Sequence, residues 1–235
     1  MAVAPVETRC DCVVLLHGIA VGAWTLKKLE RILQRRGFAT LNLNYASRKK
    51  PLEALAEDIH APIAAFAEQC DGAIHFVAHS MGGLLTRVYI SRHRPARLGR
   101  VVMLGTPNGG SEVADLLKDL AVYRAVFGPA GLQLTTDQAP VLTALPSPDY
   151  SIGIIAGCRT ISPIASTLVL PRPNDGKVSV ASSKLAGMAD HIVVKAPHAG
   201  LPRHAIAIEQ TIAFLRNGRF NTDETAHASV RRSCA

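Results

Sequence analysis

The sequence predicts an α/β fold: one compact, mostly parallel sheet of about six strands with helices on both faces. Apolar, β-branched runs alternate with stretches of helical periodicity along the chain. Val101–Leu104 and Ile152–Ile155 are apolar without interruption, as strands are when helices cover both faces of a sheet. The run IHFVAHSMGGLLTRVYI, residues 74–90, reads as strand, sharp turn and helix in one continuous passage.

Taken in order, strands are predicted at 12–16, 38–43, 73–78, 100–105, 152–156 and 191–195, and helices at 22–36, 51–69, 82–93 and 204–216. Gly37 follows the first helix where a helix stop is expected. Pro51 opens the second at a position that tolerates proline. Residues 108–150 interrupt the alternation with NGGS, a helical stretch from Glu112 to Ala125 and a Gly/Pro-punctuated segment, and are expected to form a cap-like insertion. The domain is expected to span 1–218, and residues 219–235, which lack periodicity, to form a disordered tail.

A length of 235 residues suits a single domain with a well-buried core, and 48% hydrophobic against 19% charged residues describes a globular chain. The net charge of +8 raises the question of nucleic acid, but only 5% of residues are aromatic and no basic run is interleaved with them. Arg87, Arg92, Arg94, Arg97 and Arg100 gather around one helix end, where they read as a solvated face complementing the helix dipole. No stretch is long enough for a membrane span, and the first residues lack a secretory pattern, so stable membrane insertion is not expected. The five cysteines, Cys10, Cys12, Cys70, Cys158 and Cys234, show no metal-binding spacing. They read as reduced thiols in a cytoplasmic protein, with no metal or cofactor expected.

Strand, tight turn and helix around Ala78-His79-Ser80-Met81-Gly82 form the context that makes a G-x-S-x-G-like match a nucleophile elbow. Small residues two before and two after the serine relieve crowding; Ala78 and Gly82 meet that need. The turn should hold Ser80 in a strained backbone conformation with Oγ pointing out of the sheet. A nucleophilic serine needs a base, a group to orient the base and an oxyanion hole. The strand ending in Leu16-His17-Gly18-Ile19 offers the backbone N–H of Ile19, to be joined by that of Met81; His17 is expected to brace the loop. Chain order places the acid after the nucleophile strand and before the histidine. Asp175, on a turn in PNDGKV, is preferred over Asp149, which precedes its strand, and Asp190, which crowds the next. His198 follows the last strand in KAPH and is preferred as base over His204 at the start of the closing helix. His79 and His191 read as structural.

LLHG, AHSMGG, LGTPNGGS, NDGKVSV and the late APH together resemble the lipase/esterase branch of the α/β-hydrolase superfamily. The likeness is nearest to small bacterial hydrolases related to lipases and to the GPI inositol-deacylase-like group, and spans about residues 12–216. It implies a cofactor-independent serine hydrolase acting on lipophilic carboxylic esters, with transient lipid-surface contact as a further possibility, and a GTPNGGS segment walling the site. It also implies a minimal sheet without the outer antiparallel strands of larger members. An acyltransferase on the same fold, and an inactive hydrolase fold used for binding, remain alternatives.

Overall fold

The computed structural model describes residues 10–137, 140–160 and 170–221. Six parallel strands form one sheet: β1 (Cys12–Leu16), β2 (Ala39–Leu43), β3 (Ile74–His79), β4 (Leu98–Leu104), β5 (Ile152–Gly157) and β6 (Asp190–Val194), in the order β2-β1-β3-β4-β5-β6. Side chains alternate across it. Along β1, Cys12, Val14 and Leu16 enter one core while Val13 and Leu15 enter the other. Along β4, Val101 and Met103 part from Val102 and Leu104 in the same way. Both faces are therefore dry, which is why these strands read as uninterrupted apolar runs.

One face is covered by α1 (Lys27–Arg35) and by the closing helix Ala205–Asn217. The other is covered by α2 (Leu52–Asp58), α3 (His60–Glu68) and α4 (Met81–His93). The predicted helix 51–69 is thus two helices. Pro62 is the physical reason: it has no N–H to give the carbonyl of Asp58, so the helix restarts at His60 and keeps the proline in its first turn. Helix α4 is buried from Met81 to Ile90, and this includes Arg87, contrary to the solvated face that its sequence neighbours predict.

The insertion forms α5 (Glu112–Leu117), α6 (Ala121–Leu132) and a single turn α7 (Pro140–Thr143). The predicted stretch 112–125 breaks after Lys118, and α6 is kinked at Gly128, where φ is 60°. Two short elements complete the chain before its end: α8 (Val180–Ser183) and, after β6, the 3-10 turn His198–Arg203 that leads into α9 (Ala205–Asn217).

Two expectations need correction. The ordered chain does not stop at 218: Phe220 is buried against Phe214, and its N–H donates to Asp190. Residues 222–235 lie outside the described residues. The cysteines are not all reduced thiols, since Cys12 at the start of β1 and Cys70 after α3 form a disulfide and Cys158 is disulfide-bonded too. The two positions are 58 residues apart in sequence, so local spacing held no sign of the Cys12–Cys70 pair. The cytoplasmic expectation thereby loses the thiols on which it stood.

Candidate active site

Every candidate group lies just beyond the carboxyl end of a parallel strand. Ser80 ends β3 with φ 57° and ψ −129°, one of two non-glycine residues with positive φ among those described. This is the strained turn that the motif demands. Neighbours hold it: the N–H of Ser80 donates to the Leu104 carbonyl at 2.9 Å, and Thr106 Oγ1 donates to the carbonyl of Ser80 at 3.0 Å. Gly82 is obligatory by close approach, because a Cβ there would come within 2.5 Å of the Leu16 carbonyl oxygen on β1.

His198 opens the turn after β6, and its Nε2 lies 3.0 Å from Ser80 Oγ. Its Nδ1 donates to Asp175 Oδ2 at 2.8 Å. That bond fixes the tautomer in which Nε2 accepts from the serine hydroxyl. Asp175 is held from both sides. Its Oδ1 accepts from the N–H groups of Lys177 at 3.0 Å and Val178 at 2.8 Å, and its carbonyl accepts from the His198 N–H at 3.0 Å. The three residues expected from the sequence thus form one hydrogen-bonded chain, buried except for the serine's edge. The alternatives are engaged elsewhere. Asp149 pairs with Arg94 on the surface, Asp190 accepts from the N–H groups of His191 and Phe220, and His204 stands at the N-cap position of α9, away from Ser80, with no capping bond from its side chain.

The N–H of Met81 is the first of α4 and has no acceptor within the helix. The N–H of Ile19 likewise meets no acceptor among the described residues, so both remain available to an oxygen at Ser80. His17 braces this loop: Nδ1 donates to the Gly18 carbonyl at 2.7 Å and Nε2 accepts from the Tyr45 N–H at 3.3 Å. Its ring stacks on Tyr45, whose hydroxyl donates to the His17 carbonyl. Burial pulls the His17 pKa down and keeps the ring neutral, which suits a residue that both donates and accepts.

Ser80 and His198 open into a cavity of about 240 Å³. Its far wall comes from the insertion: Val113, Ala114, Leu117, Tyr123, Phe127 and Leu134. Leu116, Leu120, Val122 and Val126 point to solvent instead. No group of residues able to hold a metal ion is found among those described, and no helix among them is long and apolar enough to cross a membrane.

A family model described as alpha/beta hydrolase family matches residues 13–211. The chain belongs to that family. No curated protein matches it in sequence. Among solved structures, this alpha/beta hydrolase resembles the mature Bacillus licheniformis lipase BlEst2, with a TM-score of 0.69 and 17% identity over 90% of this chain and 92% of that one. It also resembles the Legionella pneumophila phospholipase PlaB, with TM-score 0.66 and 16% identity over 94% of this chain and 62% of that one. A metagenomic carboxyl esterase, MGS0156, gives TM-score 0.66 and 20% identity over 82% and 66%. At such identities the likeness is one of fold.

One support of this site in the alpha/beta hydrolase fold was not legible in the sequence. Gly105, with φ +58°, passes beneath the Asp–His pair: a Cβ there would lie 3.1 Å from Asp175 Oδ2, 3.2 Å from His198 Nδ1 and 2.8 Å from Leu201. The GTPNGG run advertised the glycine but not what crosses over it. His79 has the structural role expected of it: its Nε2 donates to the carbonyl of His198 at 3.0 Å and so anchors the turn that carries the imidazole. Burial, with His198 close by, holds His79 far below the ordinary histidine range. It is a neutral donor.

Proposed function

We propose that this hydrolase-fold protein cleaves carboxylic esters with apolar acyl groups through an acyl-enzyme on Ser80. The observation that carries the reading is the relay from Asp175 Oδ2 through His198 to Ser80 Oγ, at 2.8 and 3.0 Å, opening into a cavity walled by the insertion's apolar side chains. In this reading Ser80 Oγ attacks the ester carbonyl while His198 Nε2 takes its proton. Asp175 keeps Nδ1 protonated and stabilises the imidazolium that forms. The N–H groups of Ile19 and Met81 receive the oxyanion. The tetrahedral intermediate collapses as His198 returns the proton to the leaving alcohol, and water activated by the same nitrogen then releases the carboxylic acid. The lipase and esterase names of the structural neighbours agree with an ester as substrate.

The test joins two measurements on the purified chain. A fluorophosphonate probe should label Ser80 in the wild type and leave Ser80→Ala unlabelled. A series of p-nitrophenyl esters should give a larger kcat/KM with medium acyl chains than with acetate. Absence of both labelling and turnover would reduce the protein to a binding scaffold. Turnover that rises in proportion to an added alcohol acceptor, with no free acid released, would make it an acyltransferase.

A further inference from the structure

Arg87 stands two helical turns along α4 from Ser80. The residue is only 8% exposed, and its Nη1 is fully covered with no hydrogen-bond partner among the described residues. A guanidinium so placed is costly to keep unless something pairs with it. It borders a cavity of about 350 Å³, whose opposite wall is the segment 145–150 leading into β5. This cavity shares no lining residue with the one at Ser80.

The charges around it do not balance. Arg94 also borders the cavity but is already neutralised, its Nη1 donating to both oxygens of Asp149 at 2.6 and 2.8 Å. Tyr150 supplies no negative charge, since burial pushes its phenol up to about 12. Two arginines against one carboxylate leave a single positive charge, at Arg87. Beside it, Ser91 and Ser147 offer hydroxyl donors, while Ile90, Leu145 and Pro148 give an apolar wall.

We infer that this cavity is a second ligand site that binds a small organic monoanion, a carboxylate carried on an apolar body, with Arg87 as its counter-ion. One negative charge restores neutrality where a dianionic phosphate would exceed it. The two oxygens of a carboxylate match the guanidinium fork, and the apolar wall takes the rest of the molecule. The site is independent of the chemistry at Ser80.

Thermal-shift and calorimetric titrations of the full chain with hexanoate, hexanol and inorganic phosphate test this in the wild type, Arg87→Met and Arg87→Lys. Hexanoate should raise the Tm of the wild type in proportion to its concentration, and hexanol and phosphate should fall well short of it. Arg87→Met should weaken hexanoate about tenfold or more, while its ligand-free Tm stays level or rises, because methionine fills the space without a charge to leave unpaired. Arg87→Lys, which keeps the charge, should keep part of the binding. Equal hexanoate responses in wild type and Arg87→Met would place the ligand elsewhere and overturn the inference. So would a response to phosphate alone, or to none of the three. Loss of ligand-free Tm in both variants together with loss of binding in Arg87→Lys would make Arg87 a structural residue, and the inference would fall.

Discussion

At the scale of single residues, the site is a set of close approaches that leave room for few alternatives. Ser80 holds a backbone conformation that costs on the order of 1–3 kcal/mol, and only its Oγ enters the proposed chemistry. Ser80→Ala should therefore keep the circular dichroism spectrum while ester turnover falls by about four orders of magnitude or more; retained turnover would contradict the proposed function. Gly105 offers a subtler test. Gly105→Ala sets a methyl at positive φ against Asp175, His198 and Leu201, displacing the relay without removing any member of it. The kcat should drop by about 100-fold with KM little changed, as expected when a catalytic group is misplaced by a fraction of an ångström to an ångström. An unchanged kcat would mean that the relay has slack. Ser80, Asp175 and His198 were all legible in the sequence, because the elbow is a local motif and chain order picks out the other two. Gly105 was not, because what makes it necessary arrives from residues 70 and more positions later.

At the scale of elements, strands were easier to read than helices. All six strands fall within two residues of expectation, since burial on both faces writes itself directly into composition. The helical stretch 51–69 was read without its break because its periodicity runs on across Pro62, and the break concerns a missing N–H rather than a change of face. In the insertion the pattern could not separate wall from surface. Its apolar residues divide between the cavity, at Leu117 and Phe127, and solvent, at Leu116 and Val122, and only the kink at Gly128 and the break after Lys118 decide which goes where. Both wall residues are only partly buried, so Leu117→Asp and Phe127→Asp should fold. Each should lower kcat/KM for medium-chain p-nitrophenyl esters by about tenfold and leave acetate nearly unaffected. An equal loss on all chain lengths would remove the insertion from the acyl pocket.

At the scale of the whole molecule, two properties follow from groups the sequence understated. His17 and His79 are held neutral by burial, which pulls their pKa values below the ordinary histidine range. The unfolded chain therefore binds more protons than the folded one once the pH falls below about 6.5, and stability declines as pH drops further toward the folded-state values. Each ring contributes a slope of up to about 1.4 kcal/mol per pH unit in that window. Urea midpoints measured from pH 7.5 down to 5 should fall, and the fall should be shallower in His17→Gln. A flat profile would contradict the neutral assignment. The Cys12–Cys70 disulfide closes 58 residues of chain, and in the chain-entropy account its loss costs about 4 kcal/mol. Cys70→Ser should lower Tm by several degrees, and a Tm equal to that of the wild type would leave the bridge without a role in stability. The bridge joins the start of β1 to Cys70, just beyond α3, at the end of the sheet where parallel strands begin, whereas Ser80, Asp175 and His198 gather where they end. Reduction should thus leave the Michaelis parameters of surviving molecules untouched while shortening how long they survive: the redox history of a preparation would govern its shelf life and not its turnover.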